Sequence, residues 1–103
     1  DHNAGAHYVL ALGREGAGDG RGALEHDQVA LWIDPTFAMA RLHLGLLARR
    51  AGDTTAARRE LAQAIVLLER EDASRLLLFG GGFQRDALIA LCKAELTAVG
   101  GAR

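Results

Sequence analysis

One spacing constrains this chain more than any other feature of its sequence. Large apolar, small and turn-forming residues recur at a separation of 34 positions. The stretch HYVLALGREGAGDGRGALEHDQVALWIDP, from His7, aligns without a gap with RLHLGLLARRAGDTTAARRELAQAIVLLE, from Arg41. Leu10 pairs with Leu44, Ala11 with Gly45, Gly18 with Gly52, Asp19 with Asp53, Ala23 with Ala57 and Ala30 with Ala64. A repeat of this length is one supersecondary unit that hides its apolar side only by stacking on a neighbour.

Each unit reads as two antiparallel helices. Ala11 and Gly45 fall where the first helix presses on the second, so only a small side chain fits. The Gly-Asp pairs mark the turn, with glycine ending one helix in a left-handed conformation and the acid starting the next. Pro35 ends the first unit and can open the next helix, where its missing N–H is not needed. Half the residues are apolar but only 5% are aromatic, so Leu, Ala, Val and Ile must build the core. That suits close helix packing better than a β-sandwich.

The periodicity predicts helices over about 4–16, 21–33, 36–51 and 54–71. A fifth, over about 84–98, carries Leu88, Ile89, Leu91, Cys92 and Leu96 and is expected to cover the fourth as a capping element. The expected architecture is all-α, in a single domain over residues 1–103. It comprises a first repeat at 4–35, a second at 36–71, a glycine-rich joint at 72–83 and the capping helix at 84–98. The Leu76–Phe79 run reads as a short helical turn or an extended segment beneath that last helix. Because the chain starts at Asp1 rather than methionine, we read it as a fragment of a larger protein.

These residues resemble the tetratricopeptide repeat (TPR), whose pattern runs large, Leu, small, then small, large, small, then proline. Leu44, Gly45, Gly52, Asp53, Ala57, Leu61 and Ala64 fit it, and the resemblance covers residues 4–70. The first unit departs from it at Arg14 and Asp27, which stand where the family has large apolar residues. The longer run LHLGLLARRAGDTTAARRELAQAIVLLERED, followed by SRLLLFGGGFQRDALIALCKAEL, resembles the C-terminal TPR region of bacterial CheR-type chemotaxis methyltransferases. That resemblance implies a preceding S-adenosylmethionine-dependent domain that methylates receptor glutamates. No catalytic residue, cofactor or metal is expected in this chain itself.

The loops and side chains that suggest other chemistry read more plainly. Gly80–Gly82 are followed by Phe83 and Gln84, whereas a Walker-type phosphate loop needs lysine and a hydroxyl residue there. Lys93, the only lysine, lies well along the next helix. Gly18-Asp19-Gly20-Arg21-Gly22-Ala23 formally fits a dinucleotide fingerprint, but no strand precedes it. His2, His7, His26 and His43 share no helical spacing and no HExxH occurs, so they read as surface or half-buried residues rather than metal ligands. The lone Cys92 reads as a small core residue and fits a reducing, cytoplasmic compartment. Glu60, Glu69, Glu71 and Asp72 read as solvated helix faces and ends, and Asp34-Pro35 as a helix boundary.

What remains is a surface. With a net charge of −1 there is no basic field to draw nucleic acid, apart from a small cluster of Arg49, Arg50, Arg58 and Arg59. No apolar run is long enough for a membrane span. In the TPR arrangement the first helix of each unit lines a concave groove. That places Tyr8, Leu12 and Glu15, then Met39, Leu42, His43, Leu46, Arg49 and Arg50, on an apolar floor with a cationic edge. Such a groove suits an amphipathic helix or extended peptide from a protein partner, such as a chemotaxis signalling protein or the parent catalytic domain. In the alternative, the last helix or the parent domain fills the groove. The competing functions are a nucleotide-binding enzyme domain using the glycine loops and a stand-alone scaffold or adaptor.

Overall fold

The computed structural model describes residues 3–100, which form six helices and no strand. They are α1 (Ala4–Gly16), α2 (Gly20–Ile33), α3 (Ala38–Arg50), α4 (Thr54–Arg70), α5 (Ala73–Phe79) and α6 (Arg85–Gly100). α1 packs on α2, α3 on α4, α2 on α3, and α6 on α4.

The two turns that share the 34-residue spacing are built alike. Gly18 and Gly52 take positive φ, 83° and 81°, where a Cβ would be strained. Asp19 N–H donates to the Arg14 carbonyl at 2.8 Å, and Asp53 N–H to the Ala48 carbonyl at 2.9 Å. These bonds satisfy carbonyls that the helix end would leave orphaned. The same aspartates then cap the next helices. Asp19 accepts from Gly22 N–H at 2.8 Å and Asp53 from Ala56 N–H at 3.1 Å. One Gly-Asp dipeptide therefore stops one helix and starts another.

Close approach between helices follows from side-chain size. Ala11, Ala23, Ala30, Ala57 and Ala64 are wholly buried. At Gly45 a Cβ would lie 2.7 Å from Leu61 Cδ2 and 3.3 Å from the Leu61 backbone nitrogen. Leu61 is itself fully buried and occupies the space that the missing side chain leaves.

The second half departs from expectation in three places. α3 starts at Ala38 rather than near Thr36, and its N-cap, Phe37, has no oxygen to offer. The cap comes from Glu71 instead, whose Oε2 accepts from Ala38 N–H at 3.0 Å. Glu71, read from sequence as a solvated end, is thus buried. The expected joint holds a two-turn helix, α5, whose Arg75 donates to Asp34 at 2.5 Å and Glu71 at 3.0 Å and lies over the Phe37 ring. Phe79, at the end of α5, packs against Tyr8 and Phe37, with ring centres 5.9 and 5.1 Å away. That aromatic end therefore meets α1 and the start of α3. Gly81 and Gly82, at φ 64° and 89°, then turn the chain into α6.

α6 buries Leu88, Cys92 and Val99. The guanidinium of Arg85 donates to the Leu68 carbonyl near the end of α4. The outer side of α6 mixes exposed Ala87, Ala90, Leu91, Ala94 and Ala98 with exposed Asp86, Lys93 and Thr97.

Gly45→Leu is expected to overpack the α3–α4 crossing and cost about 1–3 kcal/mol or more, read as a fall in thermal midpoint; an unchanged midpoint contradicts the crossing. Glu71→Ala removes the α3 cap and one Arg75 partner, and urea unfolding should register a loss of about 1–3 kcal/mol. Glu71→Gln, which can still cap, should lose less.

Candidate functional site

The eight groove residues expected from sequence divide into two groups. Tyr8, Met39, Leu42 and His43 are buried, each 6% exposed or less, and offer no face to a ligand. Met39 and Leu42 belong to the core because α3 is enclosed on several sides, burying nine of its thirteen residues. Leu12 is 41% exposed, Leu46 is half-buried, and Arg49 and Arg50 are exposed. Neither arginine stands alone. Arg49 pairs with Glu95 of α6 at 2.9 Å, and Arg50 pairs with Glu15 of α1.

The buried group contains chemistry that sequence reading missed. His43 Nδ1 lies 2.5 Å from Asp27 Oδ2, and its Nε2 lies 2.8 Å from Glu15 Oε1. Each ring nitrogen thus faces a carboxyl oxygen, and imidazole donates from one nitrogen when neutral and from both when protonated. One residue from each of α1, α2 and α3 thus meets at a single ring, and Arg50 extends the chain of charges to the surface.

Asp27 is the most costly member. It is wholly buried, and its Oδ1 has no hydrogen-bond partner among the described residues. Burial raises its carboxyl to about 6, against the hydrogen bond and charge of His43, which lower it. The Tyr8 ring stands edge-on to His43 with centres 6.0 Å apart. Burial, then the charge of Asp27, pushes its phenol up to about 12.

A signal for this cluster exists in the sequence. The 34-residue spacing places Asp27 opposite Leu61, and both are fully buried. An acid at a core position needs a partner from another helix. The histidine that serves is 16 residues away, beyond any helical spacing. Cys92 is buried as read from sequence, and burial together with the Glu95 charge pushes its thiol up to about 11. It is therefore a poor nucleophile.

The glycine turn closes on itself, with Phe83 N–H donating to the Gly80 carbonyl at 3.1 Å. Around it, Leu77, Leu78 and Phe83 are exposed, as is Trp32 on α2. No helix is long and apolar enough to cross a membrane among the described residues. No protein-family model and no curated protein matches the chain.

The Asp27 cluster makes a pH prediction. A carboxyl raised from 3.8 to about 6 binds its proton more tightly in the folded state. Its contribution to stability is complete below about pH 4 and is lost as pH rises through about 6. The stability of wild type minus that of Asp27→Asn should therefore fall by a few kcal/mol, on the order of 3, between about pH 4 and pH 7. Urea unfolding of both proteins measures it, and a difference independent of pH contradicts the raised carboxyl.

Proposed function

We propose that the chain is a protein-interaction module built as a tetratricopeptide-like stack of two antiparallel hairpins, α1–α2 and α3–α4, followed by α6. The observation that carries this reading is the recurrence of one construction at the 34-residue spacing. The same turn glycine, the same capping aspartate and wholly buried alanines at matching helix positions occur in both units. Repeats of this kind present side chains for recognition and supply no chemistry of their own.

The binding face in this reading is narrower than a full groove. Leu12 and Leu46 occupy equivalent positions in the two units, each one turn before a member of the Glu15–Arg50 bridge. In this reading exposed Leu12 and half-buried Leu46 serve as the apolar strip beside the paired, exposed Arg50. Such a strip fits an amphipathic helix that sets its apolar residues on the two leucines. Arg49 and Arg50 are already neutralised by Glu95 and Glu15, so they contribute orientation and association rate more than affinity.

Within the same proposal the chain is the repeat region of a CheR-type receptor methyltransferase. Support for that parentage is the sequence resemblance over residues 42–72 and 74–96. Methyl transfer and S-adenosylmethionine then belong to a separate catalytic domain.

Affinity capture with the isolated chain, followed by mass spectrometry, identifies a partner for direct titration. Leu12→Asp with Leu46→Asp should abolish its binding while far-UV circular dichroism stays helical. Arg49→Ala with Arg50→Ala should weaken it less and flatten its salt dependence. Arg58→Ala with Arg59→Ala, on α4, should leave it near wild type. Loss only in the α4 variant would place the binding face elsewhere. Millimolar-range thermal stabilisation by ATP, NAD or S-adenosylmethionine would favour the nucleotide reading instead.

A further inference from the structure

His7 on α1 and His26 on α2 share no helical spacing, yet the packing of the two helices brings their rings together. Nδ1 of one lies 3.2 Å from Nδ1 of the other. The ring centres are 5.4 Å apart and the planes 29° from parallel. That separation equals the nitrogen–nitrogen distance plus about one ring radius at each end. The rings therefore meet edge to edge with their δ nitrogens aimed at each other. One proton fits between them, with one Nδ1–H donating and the other Nδ1 accepting. Both residues are half-buried, so the inner side of the pair is packed and the outer side is open to water.

We infer that this pair is a binding site for a borderline-soft divalent cation such as Zn²⁺ or Ni²⁺, held by Nδ1 of His7 and Nδ1 of His26 and completed by water. Two imidazole nitrogens at about 2.0–2.1 Å from one ion stand about 2.9–3.4 Å apart for angles from square to tetrahedral. The observed 3.2 Å falls inside that window. The ion does not fit on the line between the nitrogens, where each would be only about 1.6 Å away. It sits off that line on the solvent side, so each ring has to turn by up to about 40° for its Nδ1 lone pair to face the ion. The bridging proton moves through water to Nε2 of its own ring, so a neutral pair takes up the ion with no net change in protonation.

The donors set the selectivity. Imidazole nitrogens suit zinc and nickel, whereas magnesium and calcium want oxygen. No group of three or more His, Cys, Asp or Glu able to hold a metal occurs among the described residues. The site is therefore an exchangeable two-ligand clamp across the first hairpin, distinct in kind from a four-ligand structural zinc centre.

Calorimetric titration of the whole chain with ZnCl₂ and NiCl₂, in a buffer that does not chelate, tests the assignment. One ion should bind per chain, at least about tenfold more weakly in His7→Gln and in His26→Gln, while MgCl₂ gives no heat. Nuclear magnetic resonance of the wild type supplies a readout that needs no variant. Zinc should shift the ring signals of His7 and His26 and leave those of His43 in place. No saturable binding below about 1 mM overturns the site. So does undiminished binding in either glutamine variant that retains its helical content, or a zinc response confined to other histidines.

Discussion

The fold depends on how closely two helices can approach. Gly45 has no side chain, and Leu61 fills the space a side chain would take. With that contact fixed, α3 and α4 lie nearly backbone to backbone, and alanines at the neighbouring positions extend the contact. Dispersion and apolar burial at such a crossing are short-ranged, so one added methylene is felt at once. The turn glycines act earlier along the same path. They fix where each helix stops and hence which faces meet. Crossing and turn recur together because neither is useful alone.

The first hairpin solves the same packing problem at greater cost. Where the second places Leu61, the first places Asp27. A carboxylate in a closed core is tolerated only if its charge is met. His43 meets it from the next unit, and Glu15 meets His43 from the other side. Position and pairing thus become interdependent. Asp27, His43 and Glu15 join α2, α3 and α1 at one ring through hydrogen bonds, whose distance and angle demands are stricter than those of an apolar contact. Their contribution is to specificity of arrangement more than to net stability.

Much of the helical pattern was legible in the sequence because it rests on local rules. The positions of α1 to α4 and α6 follow from apolar periodicity and from Gly-Asp turns, each readable within a few residues. What was not legible depends on contacts across the chain. Glu71 looks like any acid at a helix end until α3 is seen to lack its own cap 33 residues away. α5 looks like a joint because seven residues are too few to announce a helix. Burial of the residues assigned to a groove was not legible either. Leu12 is exposed and Leu46 half-buried, but Tyr8 and His43, one turn before them, are covered by Phe79 and by the charge cluster. Helical spacing assigns residues to a stripe, and it cannot tell how many neighbours lie over that stripe.

α5 shows what tertiary control of a helix entails. Two turns cannot sustain themselves in water, because nucleation costs more than so few backbone bonds return. Its helicity is therefore held by the guanidinium of Arg75 between Asp34 and Glu71 and by Phe79 against two rings. Undocking and unwinding are consequently one event, not two. Residues 73–79 form a small cooperative unit, and their amide protons exchange with solvent at whatever rate that unit opens. The same opening bares Tyr8 and Phe37 at one end of the helical stack, so hydrogen exchange along seven residues would report how often that aromatic floor is uncovered.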